Sequence, residues 1–195
     1  ATPADGSVFT GWTGDASGSD NPLTVTMDAN KTIEAQFFGR RTLTVDMIGE
    51  GTSTPGVGIH RYADGDVVTL TVTGQNGSRF GHWEGALVGI HNPVTITMDG
   101  NKAVTAVMQA SVRVEKDGEG QILQPGEGNH LYDYGAEAHL QAEPADGWAF
   151  DKWTIETGKE PSLWETYDES EIRITIEDCL VARAAFVKGY GLQVS

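Results

Sequence analysis

The sequence predicts an all-β protein, a tandem array of small antiparallel β modules of about 70 residues. Three observations carry that expectation. Trp12, Trp83 and Trp153 recur at spacings of 71 and 70 residues, each three residues after a phenylalanine: Phe9, Phe80 and Phe150. Apolar residues alternate with threonine in Leu23-Thr24-Val25-Thr26-Met27 and again in Val94-Thr95-Ile96-Thr97-Met98. That is the period of a strand with one face in a core and the other in water. Glycine contributes 25 of 195 residues, a supply of tight turns, and no long stretch keeps a helical period.

The repeats divide the chain. Residues 1–40 read as the second half of a repeat, 41–110 as a complete repeat, 111–188 as a complete repeat with an insertion near 155–170, and 189–195 as the first strand of a further repeat. The chain is thus expected to be a slice of a longer array. Six strands are expected in the second unit, near 42–47, 52–54, 67–73, 79–84, 93–98 and 102–108. Asp28-Ala29-Asn30-Lys31 and Asp99-Gly100-Asn101-Lys102 are turn sequences, expected to close hairpins between the last two strands. Leu23, Val25, Met27, Ile33, Ala35 and Phe37 should face inward, as should their counterparts near 94–108 and 172–186, with the threonines outward. The half unit lacks strands equivalent to 42–47 and 67–73, so its apolar face and the orphan strand around Leu192 and Val194 should be satisfied by neighbouring copies.

Composition narrows the partners. Thirteen Lys and Arg against 28 Asp and Glu give a net charge of −15, which argues against nucleic acid or an anionic membrane surface. Apolar runs are far shorter than the roughly 20 residues of a membrane helix, so no membrane insertion is expected. The single cysteine, Cys179, excludes a disulfide within the chain and a Cys-rich zinc site.

The order of motifs carries a resemblance. Pro-Ala-Asp-Gly (3–6 and 144–147), Phe-x-x-Trp, Asn-Pro-x-Thr-x-Thr-Met-Asp (21–28 and 92–99) and Lys-x-x-x-Ala-x-Phe (31–37) follow one another at a fixed period. The run resembles the divergent internalin-type B-repeats of bacterial cell-surface proteins and covers nearly the whole chain. The resemblance implies an extracellular tandem module with a small, mainly β fold and no catalytic residues to transfer. The third unit departs from the pattern, with Thr154-Ile155 after Trp153 where Gly14 and Gly85 close the others.

The residues that would carry chemistry each have a packing reading beside the functional one. Trp12, Trp83 and Trp153, with Phe9, Phe80 and Phe150, are either sugar platforms or the central plugs of small cores; we favour plugs. A spacing of three puts the two rings on opposite faces of a strand unless a bulge intervenes. Asp15, Asp20, Asp64, Asp66 and Asp133 sit in polar turns, where calcium is the functional reading and turn chemistry the preferred one. None shows a full calcium-loop spelling, so no cofactor is expected. His60, His82, His91, His130 and His139 lack metal-ligand spacing, and His60 and His130 occupy equivalent places that read as packing or turn chemistry. No nucleophile elbow, phosphate loop or zincin motif appears, and the chain is not expected to be an enzyme.

The insertion, Glu156 to Glu171, is where the array stops repeating. Trp164 and Tyr167 are its candidate ligand-binding residues, for a glycan or a host or cell-surface partner. The preferred reading is a longer loop whose Leu163 and Trp164 fold back over the neighbouring unit. The resulting expectation is an extracellular, cell-surface spacer segment that contributes to adhesion or fibre assembly. A carbohydrate-binding or adhesin module acting through residues 156–171 is the alternative.

Overall fold

The two-residue period becomes fifteen strands, with no helix among the described residues, in a computed structural model that describes residues 1–4, 6–158 and 163–189. The expected strand at 190–195 lies outside the described residues. The strands of the first half of the chain are β1 (Ser7–Gly14), β2 (Ile33–Ile48), β3 (Gly51–Thr54), β4 (Gly58–Ala63), β5 (Val67–Gly74), β6 (Arg79–Gly85) and β7 (Val94–Thr97). They continue with β8 (Lys102–Asp117), β9 (Gly120–Gln124), β10 (Gly128–Asp133), β11 (Glu137–Pro144), β12 (Trp148–Thr157), β13 (Trp164–Tyr167), β14 (Glu171–Thr175) and β15 (Leu180–Lys188).

Each full unit is a two-layer sandwich. In the second unit the sheet β4-β2-β8-β6 lies against the three-stranded sheet β3-β5-β7. Leu43, Val45, Leu70, Trp83, Met98 and Met108 fill the space between. In the third, β10-β8-β15-β12-β13 lies against β9-β11-β14, around Val112, Leu140, Trp153, Ile176 and Phe186.

Two expectations are corrected. The turn at 99–102 does not close a hairpin: β7 pairs with β5, and the chain then crosses to the other sheet as β8. The third unit does the same, β14 pairing with β11 and β15 with β12. Both strands still point an apolar face at the same core, so alternation alone does not distinguish a hairpin from two layers. Secondly, β4 and β10 stand where no strand was expected, paired antiparallel with β2 and β8.

The units share strands. β2 and β8 are 16 residues each and pass unbroken through the repeat boundaries near 40 and 110. The first half of β8 completes the second unit, and its second half begins the third. No linker separates them.

The inward positions follow the alternation where both layers exist. Ile96, Met98, Val104, Ala106 and Met108 are buried, Val94 is half-buried, and Thr95 and Thr97 are exposed; Ile172, Ile174, Ile176, Ala182, Ala184 and Phe186 are buried in the third unit. The first unit shows what happens without the second layer: Met27 is 72% exposed and Phe37 43%. Residues 23–27 form no strand, because the equivalent strand β7 takes its hydrogen bonds from β5. One fragment of that pairing survives. The Asn21 side chain exchanges two hydrogen bonds with the Ala1 backbone, as the Asn92 side chain does with Val72.

Candidate interaction site on the third unit

The tryptophans occupy core positions. Trp83 is 1% exposed and Trp153 is fully buried, while Trp12, in the half unit, is partly exposed. A bulge in each tryptophan strand resolves the spacing of three. Thr10, Gly81 and Asp151 are the extra residues, and they turn Phe and Trp onto the same face. The ring centroids come to 5.3 Å (Phe9–Trp12), 5.2 Å (Phe80–Trp83) and 6.1 Å (Phe150–Trp153). Each buried indole also needs an acceptor for its N–H. Trp12 donates to the Asp20 carbonyl at 2.9 Å, Trp83 to that of His91 at 3.0 Å, and Trp153 to that of Ser170 at 3.2 Å. The third bond is made 17 residues downstream in place of 8, so the insertion leaves the core acceptor in place.

In the first two units the tryptophan strand meets only a single bridge across this loop, Trp12 to Gly18 and Trp83 to Gly89. In the third the inserted residues return as β13 and pair with β12, placing Tyr167 opposite Trp153. The insertion is a hairpin arm added to the sheet edge; its residues 159–162 lie outside the described residues. It does not fold back over a neighbour: Leu163 is 65% and Trp164 58% exposed, because β13 carries Trp164 along the outer edge of β12 and Leu163, just before it, hydrogen-bonds Thr157.

Strand alternation places Trp164 and Tyr167 on opposite faces of β13, so they do not form one platform. Tyr167 packs against the third core, and its hydroxyl donates to Glu165 Oε2 at 2.6 Å. That bond, reinforced by burial, raises the phenol pKa above its ordinary value. Leu163, Glu165 and Tyr167 border a groove of about 360 Å³ whose floor includes Ile155, Ile174 and Leu180. Of the groove residues Tyr167 was a candidate from sequence, whereas Ile155, Ile174 and Leu180 were not read as lining a groove. The available signal was substitution against the repeat: Ile155 stands where the second unit has Gly85, and Leu180 where it has Lys102.

Four of the turn carboxylates, Asp15, Asp64, Asp66 and Asp133, are engaged in structural hydrogen bonds and ion pairs. Asp15 accepts from the Thr32 N–H, Asp66 from the Ala63 N–H, Asp133 from Gln109, and Asp64 pairs with Arg41. Among the described residues no three His, Cys, Asp or Glu side chains converge in a metal-binding group. His60 and His130 each hydrogen-bond a turn carbonyl, those of Gly56 and Gly126. Cys179 is half-buried and accepts from the Ser111 N–H.

No helix among the described residues is long and apolar enough to cross a membrane. Comparison with curated proteins and with solved structures gives no match. Three successive stretches, 1–39, 41–111 and 110–178, match the divergent InlB B-repeat domain. The second and third matches overlap at 110–111, inside the strand the two units share. With a Phe–Trp pair set by a bulge in the tryptophan strand of every stretch, and with matches across most of its length, the chain belongs to the divergent InlB B-repeat family.

Proposed function

We propose that this chain is an extracellular spacer segment of a bacterial surface protein, holding a functional domain away from the envelope, and that it is not an enzyme. One observation carries the reading: consecutive units are joined by an unbroken strand. Each half of β8 is hydrogen-bonded on both edges, by β2 and β6 in the second unit and by β10 and β15 in the third. A flexible linker would let the units reorient freely, whereas a strand fixed in two sheets transmits direction from one unit to the next. At about 3.3 Å per residue, such a strand runs some 50 Å. The acidic, threonine-rich outer faces keep such a rod solvated. Small-angle scattering tests this. A rigid rod gives one sharply defined cross-section and a maximum length that grows in fixed steps as repeats are added; a broad distribution of lengths would refute it.

The exposed edge of the arm favours a second reading, adhesion. Trp164 is a large aromatic presented outward on β13, in the one unit that carries an insertion. A glycan or a cell-surface protein would stack there. In that reading saturable binding to a glycan panel is lost in Trp164→Ala. Binding that survives this substitution, or no binding at all, leaves the spacer reading alone.

A further inference from the structure

The two strands through which force enters and leaves a unit are direct, parallel neighbours. In the second unit the chain enters along residues 43–48 of β2 and leaves along 102–107 of β8, and these six-residue stretches pair in parallel, Leu43 opposite Lys102 through Ile48 opposite Val107. In the third it enters along 112–117 of β8 and leaves along 180–185 of β15, again parallel. From this we propose that each complete unit is a mechanical clamp that resists tension applied along the chain.

The argument is geometric. Tension pulls the upstream end of the entering strand backward and the downstream end of the leaving strand forward. For parallel neighbours that motion is sliding, so the bonds of the ladder are loaded together and must fail together. For antiparallel neighbours pulled at adjacent ends, the bonds fail one after another from that end. The first half unit is of the second kind: β1 and β2 are antiparallel, with Ser7 opposite Gly39.

The surroundings reinforce the ladder. The parallel pair is never at a sheet edge, since β4 flanks β2 and β6 flanks β8 in the second unit, with β10 and β12 doing the same in the third. Leu43, Val45, Val104 and Ala106 on its inner face are buried under β3-β5-β7. Water therefore reaches the bonds poorly from that side, and a bond broken under load has few competing partners. Because β8 is shared, the strand that leaves one clamp is the strand that enters the next.

The inference deepens the spacer reading and rests on the chain being under tension in its setting. Single-molecule pulling of the full chain from its two ends tests it directly. The expected trace has two abrupt high-force ruptures, releasing residues 43–107 and 112–185 at roughly 3.5 Å per residue, preceded by a low-force opening of the first half unit. The control pulls the same fold sideways, with handles at Arg61→Cys on β4 and Glu84→Cys on β6 in a Cys179→Ser background. Those residues are exposed and lie on the two outer strands of the four-stranded sheet. The ladders then peel bond by bond, and rupture of the second unit should fall severalfold. Equal forces in the two directions, or end-to-end rupture at or below the sideways value, would overturn the clamp. A chain that scatters as a rigid rod but ruptures easily along its length ends this proposal and leaves the spacer reading standing.

Discussion

The Asn101 side chain, at the turn before β8, accepts a hydrogen bond from the Thr42 N–H at 2.9 Å, 59 residues upstream on β2. The third unit repeats the relationship with a weaker acceptor: Cys179 Sγ takes the bond from Ser111 N–H at 3.4 Å. In both cases the residue before the leaving strand ties down the entering strand at the point where the two begin to pair. Asn101→Ala would leave the Thr42 N–H without this acceptor and should cost about 1 kcal/mol of the second unit's stability. Urea unfolding followed by tryptophan fluorescence measures it. An Asn101→Ala chain as stable as the parent would show that water satisfies Thr42 and that the contact is incidental.

The buried tryptophans should differ by unit. Trp83 is enclosed on all sides, so Trp83→Ala removes a large packed volume and should cost about 3–5 kcal/mol. Trp12 sits in a half unit with only one layer and should cost clearly less on the same substitution. Hydrogen exchange resolved by segment separates the two losses. A loss below about 1 kcal/mol for Trp83→Ala would restore the surface-platform reading of these residues.

Much of this fold was legible in the sequence because period two is a local signal. Val94-Thr95-Ile96-Thr97 can satisfy its alternation only with the threonines out, and it does. What was not legible is which sheet a strand joins, since β7 and β8 show the same inward pattern whether they pair or face each other. β4 escaped notice because Gly58-Ile59-His60-Arg61-Tyr62-Ala63 lies at a sheet edge, half-buried, with no apolar stripe. The continuity of β8 was hidden at Gln109-Ala110-Ser111, which fall at the repeat boundary yet pair as strand with Asp133, Tyr132 and Leu131 of β10. The arm was legible as an insertion, but its exposed Leu163 and Trp164 follow from pairing with β12 rather than from composition.

The junction between the second and third units depends on a glycine. Gly49 has φ of +97°, a region that side-chain-bearing residues rarely adopt, and an added Cβ would stand 2.5 Å from Tyr134 Cδ2. Tyr134 packs against both cores, and its hydroxyl lies 2.7 Å from Ser78 Oγ, so the ring has little room to retreat. Gly49→Ala should therefore cost about 1–3 kcal/mol. Adding Tyr134→Ala removes the closest contacts but leaves Met108 Cβ at 2.8 Å and the backbone penalty, so the double variant should lose less than the two singles combined. Strict additivity in denaturant titrations would mean that ring and glycine do not meet.

Acid should weaken the array through two equivalent turns. The Asp28 carboxyl is held below its ordinary pKa chiefly by its hydrogen bond to Lys31, and Asp99 by its bond to Lys102; both pairs are at 2.7 Å. A lowered pKa means the folded state binds fewer protons than the unfolded state, so this stabilisation is present above the unfolded value. It disappears as the pH falls below about 4 and through the folded value. Both carboxylates are fully exposed, so salt should shrink the effect. The melting temperature of Lys102→Gln, followed across that range, should fall less steeply than the parent's. Parallel curves would show that the turn pairs contribute nothing to folding.

The last prediction isolates the shared strand. Gln109 is the residue at which β8 changes hands: it pairs with Arg79 of β6 on the second-unit side and with Asp133 of β10 on the third-unit side. A short Gly-Ser insertion between Gln109 and Ala110 leaves residues 102–108 free to pair with β2 and β6, and residues 110–117 with β10 and β15. Neither core loses a side chain. What the insertion removes is the fixed direction from one ladder to the next, together with the Tyr134 N–H to Met108 carbonyl bond that spans the boundary at 3.0 Å. In a linear array, stability is a sum of unit terms and nearest-neighbour terms, so this change acts on the neighbour term alone. A coupling of about 1–3 kcal/mol should be lost. A single cooperative unfolding transition would then separate into two, and the scattering profile would broaden as the units swing independently. If the inserted chain still melts in one step and scatters as a rigid rod, the units are held together by their side-chain contacts, and the continuous strand is not what stiffens the array.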